Sequence, residues 1–157
     1  MISKWQVNLI IILLLLCHTA ITGLYIIKTG PTEDEPVYIA TGYLQVKTNY
    51  FGLETRNPPL ARSFQSLPLL LLNLTIPAPE NEPEWKNKYI LGERFLYHNT
   101  VPAATILTFA RIPTLVLSLG LGILIYLWCS KIYGPLPGLL ALFLYTFSPN
   151  IIAHAGL

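Results

Sequence analysis

The chain has 157 residues, 53% of them hydrophobic and only 11% charged, with ten Lys and Arg against eight Asp and Glu for a net charge of +2. An average soluble domain carries about 25% charged residues, so this balance points to lipid as part of the solvent. The basic residues run from Lys4 to Lys131 without a cluster, which leaves no nucleic-acid surface, and Cys17 and Cys129 sit inside apolar runs as packing residues rather than as a disulfide or metal pair.

Residues 7–27 carry no formal charge, and these 21 residues make a helix about 31 Å long, close to the roughly 30 Å hydrocarbon core of a bilayer. They predict a first transmembrane helix. A signal peptide is the competing reading, because Lys4 gives a positive start. Against it, the apolar run exceeds the usual length of roughly 7 to 15 residues and no small-residue cleavage site follows.

A long connection, residues 28–105, comes next. Within it, residues 36–46 space Val37, Ile39, Ala40, Tyr43 and Leu44 as a short helix does, directly after the acidic Asp34 and Glu35 that helix starts favour. Residues 59–76 contain Leu67-Pro68-Leu69-Leu70-Leu71-Leu72, too short and interrupted to cross a bilayer but apolar enough for a re-entrant or interfacial helix. Residues 76–88, with three prolines and three glutamates, have the composition of a solvated excursion. A second span is expected over residues 106–128, with Gly120 and Gly122 spaced to admit a close neighbour. The third is expected over residues 136–152, after the break Tyr133-Gly134-Pro135 and with Pro149 disturbing its far end.

The fold class expected from this pattern is an all-α membrane protein. It has about three transmembrane helices in one transmembrane domain over residues 1–157, and a long first loop carrying short amphipathic or interfacial helices. Lys4 and Lys131 lie in short flanking segments, which favours the cytoplasm for both and the opposite face for the long loop. That loop holds seven of the ten basic residues, but it exceeds the roughly 60 residues over which the positive-inside count applies. The expected location is a multi-pass protein of a prokaryotic inner cell membrane.

Several residues can carry chemistry. Glu33, Asp34 and Glu35 lie just past the first span, where partial desolvation can make a carboxylate a usable proton acceptor; a solvated acidic turn capping the next helix is the plainer reading of these residues alone. In Asn57-Pro58-Pro59-Leu60-Ala61-Arg62 the prolines fix the backbone direction, while Arg62 and Arg56 either hold a phosphate or snorkel at the membrane boundary. Arg111 lies at the mouth of the second span, where an ionisable group is costly unless it is paired, faces a cavity or snorkels. His154 is placed near the end of the third span, and His18, His98 and His154 have no metal-ligand spacing. Asn73-Leu74-Thr75 matches a glycosylation sequon and is read as a chance match near the membrane.

Taken in order, Asp34-Glu35-Pro36, Gly42-Tyr43-Leu44, Asn57-Pro58-Pro59-Leu60-Ala61-Arg62, Leu67-Pro68-Leu69-Leu70, Ala110-Arg111, Tyr133-Gly134 and Ser148-Pro149-Asn150-Ile151-Ile152-Ala153-His154-Ala155 resemble the start of a GT-C membrane glycosyltransferase of the protein O-mannosyltransferase type, glycosyltransferase family 39. The resemblance implies a polyprenyl-phosphate-linked sugar as donor and a hydroxyl-bearing acceptor, used on the non-cytoplasmic face. By the same resemblance Asp34 is the general base and Glu35 its supporting carboxylate, while Arg111 orients a carboxylate or meets the donor phosphate. Arg62, Arg56 and His154 stand as further binding candidates. No cofactor is implied, and a divalent metal is left open. Asn57 stands where many members have histidine, and the family continues beyond the position of Leu157, so the chain is expected to be an amino-terminal piece without activity of its own. A membrane scaffold derived from such an enzyme is the alternative. A transporter component is disfavoured, because only His18 is an ionisable group deep in a span.

Overall fold

The computed structural model describes residues 3–76 and 87–157. Among them the secondary structure is entirely helical: α1 (Lys4–Lys28), α2 (Glu35–Thr48), α3 (Pro59–Ser66), a 3-10 turn (Leu67–Leu71), α4 (Lys88–Tyr97), α5 (Ala103–Tyr133), α6 (Pro135–Thr146) and α7 (Pro149–Ala155). The expected solvated excursion lies, but for its ends, outside the described residues.

Two of these helices, α1 and α5, are long and apolar enough to cross a membrane, while α6 and α7 are bent by 64° and together make at most a third crossing. The stretch expected as a third span over residues 136–152 takes the form of two short helices, α6 and α7, rather than one continuous helix. The break follows from Pro149, which has no N–H to donate to Tyr145 and whose ring excludes the preceding Ser148 from helical backbone; Ser148 is extended at ψ 118°.

The chain divides into two compact units, one formed by residues 29–113 and the other by residues 1–28 with 114–157. In the first, α2 is the central element, buried at Glu35, Val37 and every position from Ile39 to Gln45. A helix this enclosed belongs to a packed core rather than to a bilayer surface. Ile39, Ala40 and Tyr43 of α2 pack with Leu69 and Leu74, with Leu91, Phe95 and Leu96 of α4, and with Ile106, Leu107 and Ala110 at the start of α5.

Two glycines allow the helices to close on α2. A Cβ on Gly42 would meet the carbonyl oxygen of Arg62 and the hydroxyl of Ser66, with the Arg62 carbonyl carbon at 2.8 Å; a Cβ on Gly92 would lie 2.8 Å from the backbone of both Pro36 and Val37. Gly42→Ala is thus expected to force α3 away from α2 and to cost about 1–3 kcal/mol, measured as a lower unfolding midpoint in detergent.

The expected helix over residues 59–76 is shorter than anticipated, because the α-helix stops at Ser66. Pro68 cannot donate to Phe64, and Leu67 N–H instead closes a 3-10 bond on the Phe64 carbonyl. Leu60, Leu67, Leu70 and Leu71 remain exposed while Leu69 is fully buried.

In the other unit, α1 packs against α6 and α7, and Gly134 (φ 95°) makes the expected break between α5 and α6. Of the two glycines expected to admit a neighbour, a Cβ on Gly122 would lie 3.2 Å from Tyr145 and 3.4 Å from Leu142, whereas one on Gly120 would meet open space.

Candidate functional site

The start of α2 gathers most of the candidate residues. Pro36 in its first turn and Glu35 beside the positive end of the helix dipole both favour initiation here. Glu35 is turned inward to Arg111 of α5: Nε donates to Oε1 at 2.7 Å and Nη2 to Oε2 at 2.8 Å, a forked pair. The remaining guanidinium hydrogens go to Thr29 and Gly30, with Nη1 donating to the Thr29 carbonyl at 3.0 Å and hydroxyl at 3.2 Å, and Nη2 to the Gly30 carbonyl at 2.9 Å. All five donors of a guanidinium are thereby engaged. Arg111 is fully buried, and its guanidinium is bonded within the protein to Glu35, Thr29 and Gly30. Glu35 also accepts the Thr32 N–H at 3.1 Å, which fixes the turn between α1 and α2.

Asp34 is the N-cap residue of α2 but makes no side-chain cap bond, and its carboxylate is exposed; Glu33 is exposed as well. The three neighbouring acids are therefore divided, one locked into the core and two presented to the outside.

A cavity of about 320 Å³ opens beside them, with Pro31, Thr32, Glu33, Pro36 and Val37 on one side and Tyr89, Glu93 and Tyr97 of α4 on the other. The spacing of four residues in Tyr89, Glu93 and Tyr97 places the three on one stripe of α4.

Arg62 is buried and bound within its own unit, with Nη2 donating to the Glu54 carbonyl at 2.6 Å and Nη1 to the Asn57 carbonyl at 3.1 Å. It secures the loop before α3. Its Nε has no partner among the described residues. Arg56 is exposed, and its backbone N–H donates to the Glu54 carboxylate at 2.9 Å.

Glu54 was not singled out by sequence reasoning. Its carboxylate is buried and ion-paired with Lys88 at the start of α4. The Lys88 ammonium, offset in part by burial and assisted by the Arg56 and Asn57 backbone, holds the Glu54 carboxyl below the usual carboxylate range. A folded-state pKa below the unfolded one means that the pair's stabilisation is complete above the unfolded value of about 4.3, and is lost as pH falls through the lowered folded value. Glu54→Gln is therefore expected to flatten the acid limb of a stability-against-pH curve while changing little of its shape near neutrality.

In the other unit, His18 is fully buried within α1. Its Nε2 lies 2.9 Å from Ser118 Oγ and its Nδ1 3.3 Å from the Thr146 carbonyl, and Tyr145 OH donates to the Ser118 carbonyl at 2.9 Å. These bonds satisfy a polar residue inside an apolar helix. His154 is exposed on α7 and lines a mostly apolar cavity of about 210 Å³ with Ser118, Leu121, Tyr145 and Ile151. Cys17 and Cys129 are free thiols. Among the described residues no group of His, Cys, Asp and Glu is arranged to hold a metal ion.

Comparison of this chain with protein-family models, with curated proteins and with solved structures gives no match.

Proposed function

We propose that this chain is the amino-terminal part of a multi-pass membrane glycosyltransferase similar to protein O-mannosyltransferases. It would move a sugar from a polyprenyl-phosphate donor to a hydroxyl acceptor on the non-cytoplasmic face. The observation that carries this reading is the pairing at the start of α2 of an exposed Asp34 with a Glu35 clamped by Arg111.

A lipid phosphate is already a good leaving group, so the transfer needs chiefly a base and accurate positioning. Asp34 takes the proton of the acceptor hydroxyl, and that oxygen forms its bond to the anomeric carbon. The bond from the anomeric carbon to the phosphate oxygen breaks, and the lipid phosphate leaves with the electron pair. Glu35 and Arg111 act as positioning residues, holding the first turn of α2 so that Asp34 keeps a fixed direction. Arg56, exposed near the start of α3, has the free guanidinium surface that a phosphate contact requires, and Arg56→Ala is expected to raise the donor KM more than it lowers kcat.

The test is transfer from lipid-linked sugar donors by the complete reading frame, with Asp34→Asn as the control. A membrane scaffold derived from such an enzyme is the second reading, favoured by the way Glu35 and Arg111 consume each other's bonding capacity. Transfer by the parent that Asp34→Asn abolishes excludes the scaffold, and absence of transfer with every donor class excludes the enzyme.

A further inference from the structure

The cavity between the chain preceding α2 and the outer stripe of α4 has a chemistry that the transfer step does not use. Two acidic residues, Glu33 and Glu93, line it, and two tyrosines, Tyr89 and Tyr97, stand with about half of their surface exposed (52% and 56%). Its described lining contains no basic side chain. The nearby Lys88 lies 5.4 Å from the centre of the Tyr89 ring, but its ammonium is held by the buried Glu54. Arg111 is likewise engaged by Glu35.

Aromatic rings flanking a carboxylate suit two kinds of guest, a sugar face or an organic cation. Charge decides between them. Two carboxylates and no basic side chain in one lining attract a cation, whereas a neutral sugar gains nothing from their charge. The ring faces attract a cation as well, and the Lys88 ammonium over Tyr89 shows this contact already formed in the protein.

We propose that this cavity is a binding site for an organic cation, an ammonium group carried on a small molecule or at the end of a side chain, held between Glu33 and Glu93 with Tyr97 against its alkyl or methyl groups. The inference stands on the groove itself and holds whether or not the chain takes part in sugar transfer. Were the transferase reading also true, the site would give an amine-bearing acceptor a handle next to Asp34.

The probe is choline, followed by saturation-transfer NMR on the purified 157-residue chain in neutral detergent. Its uncharged isostere 3,3-dimethylbutanol and methyl glucoside serve as competitors. Choline is expected to give saturable transfer at low ionic strength, and neither neutral compound should displace it. Tyr97→Leu is expected to weaken binding roughly two- to five-fold, and Glu33→Gln with Glu93→Gln about tenfold. All three substituted side chains are exposed, so these variants should fold, which circular dichroism checks. Equal binding of choline and dimethylbutanol would show an apolar pocket. Binding of methyl glucoside without choline would show a sugar site, and choline binding unchanged in the double glutamine variant would place the cation elsewhere. Any of the three overturns the proposal, and none depends on whether sugar transfer is observed.

Discussion

Replacing Arg111 with methionine is expected to destabilise the unit formed by residues 29–113 by about 3–5 kcal/mol. The side chain is fully buried, and its removal leaves the Glu35 carboxylate buried with the Thr32 N–H as its remaining partner. The Thr29 and Gly30 carbonyls lose their donors at the same time. The loss therefore includes the turn that leads from α1 into α2 as well as one ion pair. Removing both charges gives a sharper test. Glu35→Leu together with Arg111→Met takes away the stranded carboxylate and should recover much of what Arg111→Met loses, because a buried pair exchanged for apolar side chains of similar size is often neutral. Denaturant midpoints of the parent, the single variants and the double variant measure this. A double variant as unstable as Arg111→Met alone would show that the interaction with the Thr29 and Gly30 carbonyls dominates.

Arg111 also shows what the sequence made legible. An arginine between Ala110 and Ile112 in an apolar helix needs a partner, and that need could be read without coordinates. The identity of the partner could not, since Glu35 lies 76 residues away and only tertiary packing brings the two together. The first long helix and the break at Gly134-Pro135 were legible because each is a local matter, an uncharged run in one case and turn chemistry in the other.

Less of the long connection was legible. Its residues suggested the short helix over residues 36–46 that α2 forms, but not that α2 is enclosed by α3, α4 and the 3-10 turn. The missing piece was α4. Its sequence, Lys88-Tyr-Ile-Leu-Gly-Glu-Arg-Phe-Leu-Tyr97, mixes charge with aromatic residues and contains a glycine, which lowers its helical signal. Yet Leu91, Gly92, Phe95 and Leu96 form the buried face on α2, a spacing visible in hindsight as the helical period. The same oversight hid the Tyr89, Glu93 and Tyr97 stripe, which occupies the opposite face. The shape of the third apolar stretch was less legible for a different reason. Pro149 was expected to disturb an end, but seven further helical residues follow the break, so the proline divides the apolar stretch instead of closing it.

The two adjacent acids at the start of α2 should respond to amide substitution in opposite ways. Asp34 is exposed and makes no cap bond, so Asp34→Asn is expected to leave the unfolding midpoint within about 0.5 kcal/mol of the parent. If the proposed transfer reaction is correct, it should lower transfer from a lipid-linked donor by roughly two to four orders of magnitude, as loss of a general base does. Glu35→Gln keeps the shape of the side chain but presents an amide nitrogen where the guanidinium needs a second acceptor. Its first consequence is therefore lost stability, with any fall in transfer following the fraction of folded protein. Measuring midpoint and transfer rate on the same preparations separates the two. An Asp34→Asn enzyme as active as the parent would remove Asp34 from the chemistry, while a Glu35→Gln enzyme that is fully folded but inactive would move the base one residue along the chain. The contrast depends on backbone direction, since successive residues at a helix start point about 100° apart and one acid can enter the core while its neighbour faces outward.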